Sequence, residues 1–262
     1  MIAQQIIAIS NQKGGVGKTT TTVNLSTALA ATGRSVLVID ADPQGNASTG
    51  LGIDKDQRED DLYQLISGTV TPEQAIINTN IKGVDVIPAS ADLSAVELEL
   101  ASKADRNNRL KALINNIKTD YDYIFIDCPP SLGLLTVNAL SAANSVLIPL
   151  QCEYYALEGL SQLMDTVEMV RAGINPRLTI KGLALTMYDS RNNLSSMVAK
   201  DVREHLGSLV YETVIPRNVR ISEAPSYGVP VLLYDINCAG SEAYIALAGE
   251  VIKQEKNNGK IR

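Results

Sequence analysis

Residues 13–20, with the sequence KGGVGKTT, form a glycine-rich run that closes on a lysine and two threonines. The run follows the apolar residues 6–10 and precedes a segment with helical spacing. Backbone N–H groups at such a turn, and at the helix N-terminus behind it, form an electropositive nest for phosphate oxygens. The sequence therefore predicts a phosphate-binding loop formed by Gly14, Gly15, Val16, Gly17, Lys18, Thr19 and Thr20.

The side chains of this loop have different predicted roles. Lys18 reaches the β- and γ-phosphates, the Thr19 hydroxyl ligates Mg²⁺, and Thr20 contacts phosphate at the first helical turn. The common form of the loop has a glycine where this chain has Gln12, and a second lysine, Lys13, follows that departure. A glycine cluster that serves only as a turn between strand and helix is the simpler alternative, but it would not require the Lys–Thr pair.

Three carboxylates follow strand-like segments, where a parallel sheet places its ligands. Asp40 and Asp42 come after residues 35–39, and Asp127 comes after residues 123–126. Asp127 is predicted to hold Mg²⁺ through its water shell, and Asp40 is a further metal candidate. Asp42 is predicted to position, or take a proton from, the water that attacks the γ-phosphate. A turn or helix-cap role alone is the alternative for each carboxylate.

The apolar pattern indicates the fold class. Continuous rather than alternating runs are typical of parallel strands covered on both faces, and the intervening segments carry helical spacing. We therefore predict an α/β fold, a doubly wound, mostly parallel sheet flanked by helices on both faces. Residues 1–255 are expected to form a single domain, and residues 256–262 a flexible C-terminal tail. The predicted strands are residues 6–10, 35–39, 84–87, 123–126, 145–149 and 179–186.

Charge is distributed unevenly along the chain. The net charge of −6 argues against general affinity for nucleic acid. Residues 171–220, however, carry eight Lys/Arg against four Asp/Glu. Because the chain has no Trp and one Phe, base stacking is disfavoured, and any DNA contact is expected at the phosphate backbone. The sequence shows no apolar run of membrane-spanning length and no leader pattern, so a cytoplasmic protein is predicted.

Four strings together closely resemble the ParA/Soj family of chromosome-partitioning ATPases, and the likeness runs over about residues 4–253. The first string alone is shared by the wider deviant Walker A class of P-loop NTPases, which includes MinD and the nitrogenase iron protein. The last string makes the resemblance specific. The strings are KGGVGKTT (13–20), DADPQGN (40–46), YDYIFIDCPP (121–130) and IPRNVRISEAPSYG (215–228).

This resemblance implies an ATP hydrolase with ATP and Mg²⁺ as cofactors, weak intrinsic activity and a sandwich homodimer in the ATP-bound state. It implies that Lys13 crosses the dimer interface to the partner's nucleotide, with a role like that of an arginine finger. Gly14 would lie where the partner approaches closely. Pro216 would pack on the adenine, and Asn218 would hydrogen-bond its edge.

The resemblance also implies partners and a location. Arg191 and Arg220 match arginines that the family uses for sequence-independent binding of double-stranded DNA, and Arg217, Lys200 and Arg203 are weaker candidates. A solvated surface charge or a local salt bridge is the alternative for each of these side chains. A ParB-like centromere-binding protein would stimulate hydrolysis, and the protein would be associated with the nucleoid.

Other functions fit parts of the sequence. A MinD-like, membrane-associated cell-division ATPase would need a C-terminal amphipathic helix with apolar and basic faces, whereas residues 241–255 carry three glutamates and favour a core-packed helix. An iron–sulfur protein would need a second cysteine near Cys128. A DNA-binding scaffold without hydrolysis and a small-molecule kinase are further alternatives. A chromosomal or a plasmid role, the hydrolysis rate and polymerisation on DNA stay open.

Overall fold

The fold is built around one eight-stranded sheet. The computed structural model describes residues 4–154 and 156–259, with only the backbone described at 156–158 and 256–259. The strands are β1 (Gln5–Ile9), β2 (Val36–Asp40), β3 (Ile77–Asn78), β4 (Val84–Ile87), β5 (Tyr123–Asp127), β6 (Ser145–Gln151), β7 (Thr179–Tyr188) and β8 (Val210–Pro216). Their spatial order is β3-β4-β2-β5-β1-β6-β7-β8.

Helices cover both faces of this sheet. Longer helices connect the strands, and short ones shape the loops at the strand ends. They are α1 (Lys18–Ala30), α2 (Asn46–Gly50), α3 (Leu62–Ser67), α4 (Pro72–Ala75), α5 (Val96–Glu99), α6 (Arg109–Ile114), α7 (Leu134–Ala142), α8 (Ala156–Gly173), α9 (Asn193–Leu206), α10 (Val219–Glu223), α11 (Val231–Tyr234) and α12 (Ala239–Gly259).

Alternate residues of the central strands belong to two separate apolar cores. Ile7 and Ile9 of β1 pack in the core that contains α1 and α12, whereas Ala8 packs in the core that contains α7 and α8. Because each strand is buried on both faces, its sequence is apolar throughout. Among the described strands, all neighbours pair in parallel except β3 and β4, which are antiparallel.

The predicted fold class and the six predicted strands are confirmed, with end shifts of up to two residues. Two strands were not predicted. β3 has only two residues, and β8 is an edge strand with an exposed Glu212, so its apolar run is interrupted. Edge strands tolerate polar residues because one side of the strand is not covered by a neighbour.

The last helix, α12, packs into the core through Tyr244, Leu247, Ala248 and Val251. This confirms the expectation of a core-packed C-terminal helix. The helix extends to Gly259, into the segment predicted to be a tail, and residues 260–262 lie outside the described residues. The flexibility of that tail stays a prediction.

In the part of the chain that the structure describes, the helices are too short or too polar to span a bilayer.

Candidate nucleotide site and basic surface

The glycine-rich loop connects β1 to α1, as the sequence predicts. Gly15 and Gly17 have φ values of 74° and 89°, a left-handed conformation that favours glycine. A Cβ at Gly14 or Gly15 would meet no atom of the described chain within 4 Å. The loop is therefore shaped by backbone conformation, and the space in front of Gly14 and Gly15 is open.

Lys18 lies inside this loop. Its side chain is buried, and Nζ donates a hydrogen bond to the Lys13 carbonyl oxygen at 3.1 Å. Burial lowers the pKa of Lys18, and the nearby carboxylates of Asp127 and Asp42 partly offset that shift. A cation folded against the backbone of its own loop is placed to bind an anion held by the loop N–H groups.

Asp127 lies opposite the start of α1. The Thr19 hydroxyl donates to its Oδ2 at 2.7 Å, and the Thr22 hydroxyl donates to its Oδ1 at 2.8 Å. Burial raises the pKa of Asp127, and the neighbouring Asp40 raises it further. A bound divalent cation would relieve both effects, because it supplies the opposite charge. Thr19 and Asp127 are thus together, as a shared metal site requires.

Asp40 is the register partner of Asp127 on the adjacent strand. Its Oδ2 accepts hydrogen bonds from the Ser48 N–H at 2.8 Å and the Ser48 hydroxyl at 2.7 Å. Its Oδ1 accepts the Asp42 N–H at 3.3 Å. These bonds attach the loop after β2 to the sheet. They favour a loop-holding role for Asp40 over direct metal ligation, which stays a prediction.

Asp42 begins a tight turn, in which its carbonyl oxygen accepts the Gly45 N–H at 2.9 Å. Its side-chain Oδ1 accepts the Gln44 N–H at 3.0 Å. The carboxylate is 8% exposed and belongs to the group of charges around Lys18. The loop thus brings Asp42 towards the phosphate loop while one carboxylate oxygen holds the turn.

Lys13 is paired within its own chain. Its Nζ lies 2.7 Å from Glu153 Oε2, and both side chains are about two-fifths exposed. Gln151 donates to the other oxygen of Glu153. Exposed pairs of this kind contribute about 0–1 kcal/mol. Lys13 can therefore exchange this carboxylate for another anion at small cost.

A cavity of about 280 Å³ opens beside the first turn of α1. Thr19 and Thr20 line one end, and the cavity continues past Asn24 to Thr49 of α2 and to Pro225. Its walls combine hydroxyl and amide groups with valine and proline side chains. This mixture of polar and apolar atoms suits a nucleoside better than it suits a bare anion.

Pro216 and Asn218 are not among the residues that line this cavity. Pro216 ends β8, and Asn218 caps α10 by accepting the N–H groups of Arg220 and Ile221 through Oδ1. Since the cap uses the amide oxygen, a hydrogen bond from Asn218 to a base would come from its amide nitrogen. The adenine assignment stays a prediction.

The candidate DNA-binding arginines, Arg191 and Arg220, both form ion pairs within the chain. The Arg191 side chain is 87% exposed, and its Nε and Nη2 each donate to Asp189 at 3.0 Å. Hydrogen bonds from Arg191 lower the pKa of Asp189 to about 2. Arg220 pairs with Glu223 at 2.9 Å and with Asp235 at 3.4 Å. Both arginines thus have local carboxylate partners.

The weaker candidates divide into two groups. Arg203 donates through Nη2 to the carbonyl oxygens of Tyr211 and Glu212, so it has a structural role at β8. Lys200 is exposed and lies 3.6 Å from Glu204, and Arg217 is exposed just after β8. Lys200 and Arg217 can contact a ligand, whereas Arg203 makes its hydrogen bonds within the chain.

The end of β7 connects the phosphate loop to the basic surface. The Thr186 hydroxyl donates to the Val16 carbonyl oxygen at 2.8 Å, and the Tyr188 carbonyl oxygen accepts the Arg217 N–H at 2.9 Å. Between them Met187 has a φ of 50°, among described residues the only positive value outside glycine. Such a conformation is costly for a side chain with a Cβ.

Several residues of the site escaped the sequence analysis, namely Thr22, Ser48, Arg58, Glu153 and Thr186. Glu153 could have been found, because it follows the apolar strand β6 just as Asp42 follows β2. Thr22 lies one helical turn after Thr19, a spacing that brings both hydroxyls to one carboxylate. The contacts of Ser48, Arg58 and Thr186 depend on the tertiary fold.

The described residues contain no group of three or more His, Cys, Asp or Glu that could hold a metal ion. Mg²⁺ is commonly bound by one or two carboxylates together with substrate phosphates. The Thr19 hydroxyl and the Asp127 carboxylate, at the mouth of a phosphate loop, fit that arrangement. Together with the doubly wound sheet, this site defines the class: the fold is that of a P-loop NTPase.

Comparison with known proteins shows to which family of P-loop NTPases the chain belongs. The profile of a family described as an AAA domain matches residues 4–180. The chain is 60% identical over 255 residues to the chromosome partitioning protein ParA of Caulobacter vibrioides (strain NA1000 / CB15N), covering 97% of this chain and 96% of that protein. It is 53% identical over 247 residues to the sporulation initiation inhibitor protein Soj of Bacillus subtilis (strain 168), covering 94% and 98%. The chain belongs to the ParA/Soj family of chromosome-partitioning ATPases.

A solved structure shares the whole fold. The cobyrinic acid a,c-diamide synthase from Mycobacterium smegmatis, with bound ATP analog and magnesium, superposes with a TM-score of 0.85 at 36% identity. The match covers 98% of this chain and 97% of that one.

Proposed function

We propose that this chain is an ATP-operated switch for DNA partitioning, with ATP and Mg²⁺ as its ligands. Binding of Mg-ATP closes a sandwich homodimer, the dimer binds double-stranded DNA without sequence preference, and hydrolysis releases it. A ParB-like partner stimulates the hydrolysis. The protein works in the cytoplasm, on the nucleoid. The observation that carries the proposal is the meeting of Lys18, Thr19, Asp42 and Asp127 at the carboxyl ends of adjacent strands.

The residues of the site have different roles in hydrolysis. The loop N–H groups and Lys18 bind the phosphates, and the Thr19 hydroxyl with Asp127 holds Mg²⁺, which would neutralise phosphate charge. Asp42 orients the attacking water through the carboxylate oxygen that does not bind Gln44. Because a carboxylate in this position contributes through proton transfer and orientation, hydrolysis should depend on it far more than binding does.

The dimer gives Lys13 its second role. In the single chain Lys13 pairs with Glu153, and in the dimer it would leave that pair for the partner's nucleotide. The open space in front of Gly14 supports this assignment, because no described atom of the same chain fills it. Hydrolysis would then require dimerisation.

Dimerisation also explains how a nucleotide could control DNA affinity. On the candidate basic surface one chain presents four exposed side chains, Arg191, Lys200, Arg217 and Arg220, and each phosphate contact contributes only modestly. A dimer has twice as many DNA contacts as a single chain, although each chain makes the same contacts as before. A membrane-bound regulator of the MinD type is less well supported, because α12 buries its apolar face in the core.

The proposal is tested by duplex DNA binding without nucleotide, with ADP, with ATP and with a slowly hydrolysed analogue, while the mass of the protein is measured in parallel. We expect binding and a dimeric mass only with ATP or the analogue. Arg191→Glu or Arg220→Glu should weaken binding to unrelated duplexes equally and leave the dimer intact. Each should lower the slope of log affinity on log salt by about 2, since about 0.9 is lost per phosphate contact and the dimer has two copies.

A DNA-bound state that is equally populated without nucleotide would contradict the switch. An arginine effect confined to one DNA sequence would contradict binding through the phosphate backbone. Binding to anionic lipid vesicles in place of DNA would favour the MinD-type alternative.

The ion pair at Arg191 predicts a gain of affinity. Asp189→Asn removes the carboxylate charge that Arg191 now neutralises, so that the guanidinium is available to a DNA phosphate. We expect duplex affinity to rise about tenfold at moderate salt, since the dimer has two copies of Arg191 and each added phosphate contact contributes about threefold. The measurement is a salt titration of DNA binding in the ATP state.

Glu168→Gln is the matched control, because Glu168 makes the same kind of pair with Arg171 on α8, which lies beside the start of β7 and not beside its end. An equal rise for both variants would show that only net charge matters, and would contradict a specific role of Arg191.

A further inference from the structure

A buried arginine outside the phosphate loop holds the segment that carries Asp42. Arg58 is 7% exposed and lies after the short turn at residues 55–57. No carboxylate of the described residues lies within ion-pair distance of its guanidinium. Burial lowers the pKa of Arg58, with Asp40 and Asp54 acting in the opposite direction at longer range. An arginine buried without an ion pair is costly unless its donors are satisfied in another way.

Four oxygen atoms accept hydrogen bonds from its two terminal nitrogens, whereas the buried Nε has no hydrogen-bond partner. Nη1 donates to the carbonyl oxygens of Gly45 at 3.1 Å and Ala89 at 3.2 Å. Nη2 donates to the Thr49 hydroxyl at 2.8 Å and to the Ile53 carbonyl oxygen at 2.6 Å. These acceptors come from both ends of α2, from the loop behind it and from the end of β4. The guanidinium therefore connects the α2 segment and the end of β4 to the turn that carries Arg58.

One of these acceptors lies in the Asp42 turn itself. The Gly45 carbonyl oxygen binds Arg58, and the Gly45 N–H binds the Asp42 carbonyl oxygen at 2.9 Å. Gly45 has a φ of 64°, and a Cβ there would collide with the guanidinium. Gly45 thus connects the arginine to the turn, because it binds the guanidinium through its carbonyl oxygen and Asp42 through its N–H.

The attachment to the sheet has a second point. Ala89 accepts from Arg58, and its N–H donates to the Ser48 hydroxyl at 3.1 Å, which in turn binds Asp40. Loss of Arg58 would leave one side of α2 held through Ser48 and release the side that leads to Asp42. A small displacement at this point matters, because hydrolysis is sensitive to misplacement of a reacting group by about 1 Å.

We infer that Arg58 is a positioning residue for ATP hydrolysis: by holding the Asp42 turn against β4, it keeps the Asp42 carboxylate where the attacking water is oriented. The inference rests on the proposed function, since it acts through the role assigned to Asp42. The phosphates of ATP bind the phosphate loop on the other side of the site, so their binding should depend little on Arg58, although α2 also lines the cavity beside α1.

Arg58→Lys and Arg58→Ala test this inference, with binding of Mg-ATP and its single-turnover hydrolysis measured separately. Lysine keeps the charge but cannot reach four acceptors, so both variants should hydrolyse about tenfold more slowly or worse, with ATP affinity within about twofold of the parent. Millimolar guanidinium should restore hydrolysis to Arg58→Ala and not to Arg58→Lys, whose side chain fills the site.

Two further variants keep the test decisive. Thr49→Val removes one acceptor of Arg58 and one donor to Gly45 at an exposed position, and it should slow hydrolysis at saturating ATP less, in the same direction. Because Thr49 also lines the cavity beside α1, only its rate at saturating ATP is compared. Arg34→Ala removes an arginine that pairs with Asp122 at the amino edge of the sheet, and it should change neither quantity. Unchanged hydrolysis in Arg58→Lys and Thr49→Val, or loss of ATP affinity in step with rate in the Arg58 variants, would overturn the inference.

The outcome also separates this inference from the proposed function. If Asp42→Ala hydrolyses ATP at the parent rate, the role assigned to Asp42 fails, and this inference fails with it. If Asp42→Ala is inactive while Arg58→Lys and Thr49→Val are fully active, only the positioning role of Arg58 fails.

Discussion

Asp42→Ala should bind Mg-ATP as the parent protein does and should hydrolyse it at least about 10²-fold more slowly. The binding groups, Lys18 and the loop N–H groups, lie on β1 and α1 and are not changed. The reaction would lose the carboxylate that we propose orients the attacking water. Because release from DNA would follow hydrolysis, the variant should accumulate as a DNA-bound dimer. Single-turnover hydrolysis and DNA release after addition of ATP measure the two effects.

Asp42→Asn separates the chemical role of this residue from its turn. An asparagine oxygen can still accept the Gln44 N–H, so the turn is retained, but the amide cannot take a proton. We expect this variant to be as slow as Asp42→Ala. Asp56→Ala, at an exposed acidic position in the short turn that follows α2, is the control and should hydrolyse normally. Activity in Asp42→Asn would mean that the residue serves only the turn.

Lys18→Ala should weaken nucleotide binding by about 100-fold or more. Its ammonium group would donate to two phosphates, and each charge-assisted hydrogen bond contributes about 1.5–3 kcal/mol. The buried position strengthens the effect, since water replaces the lost donor poorly there. Equilibrium binding of ATP and ADP measures the loss, and DNA binding should no longer respond to nucleotide.

Lys13→Ala provides the comparison within the same loop. Lys13 points to Glu153 in its own chain, so its removal should leave the binding of ATP to a single chain intact and impair hydrolysis in the dimer. Ordinary ATP affinity in Lys18→Ala, or an equal loss in Lys13→Ala, would contradict the division of roles between the two lysines.

The fold and the centre of the site were predictable because they depend on local pattern. Continuous apolar runs identified the buried strands, and strand-end carboxylates identified Asp40, Asp42 and Asp127. The sheet brings Asp40 and Asp127 into register, as the rule for parallel sheets requires. The edge strand β8 was missed because Glu212 interrupts its apolar pattern.

What the sequence did not reveal are contacts between distant segments. Thr186 reaches the phosphate loop across 170 positions of the chain, and Arg58 binds a carbonyl oxygen at the end of β4. Neither residue type is unusual in its local context, and hydrogen bonds of this kind leave no periodic trace. The carboxylate partners of Arg191 and Arg220 lie nearby in sequence, yet only the folded geometry shows the pairing.

The backbone at Met187 has a mechanical consequence. Thr186 is bound to the phosphate loop and Asp189 holds Arg191. The phosphate loop and the basic surface are therefore connected by the six residues 186–191, whose Cα atoms span at most about 17 Å. Because both ends of this segment are hydrogen-bonded, a movement of the phosphate loop is accommodated by the few backbone torsions between them. Met187, in a backbone conformation that its side chain disfavours, is the place where the segment can twist at least cost.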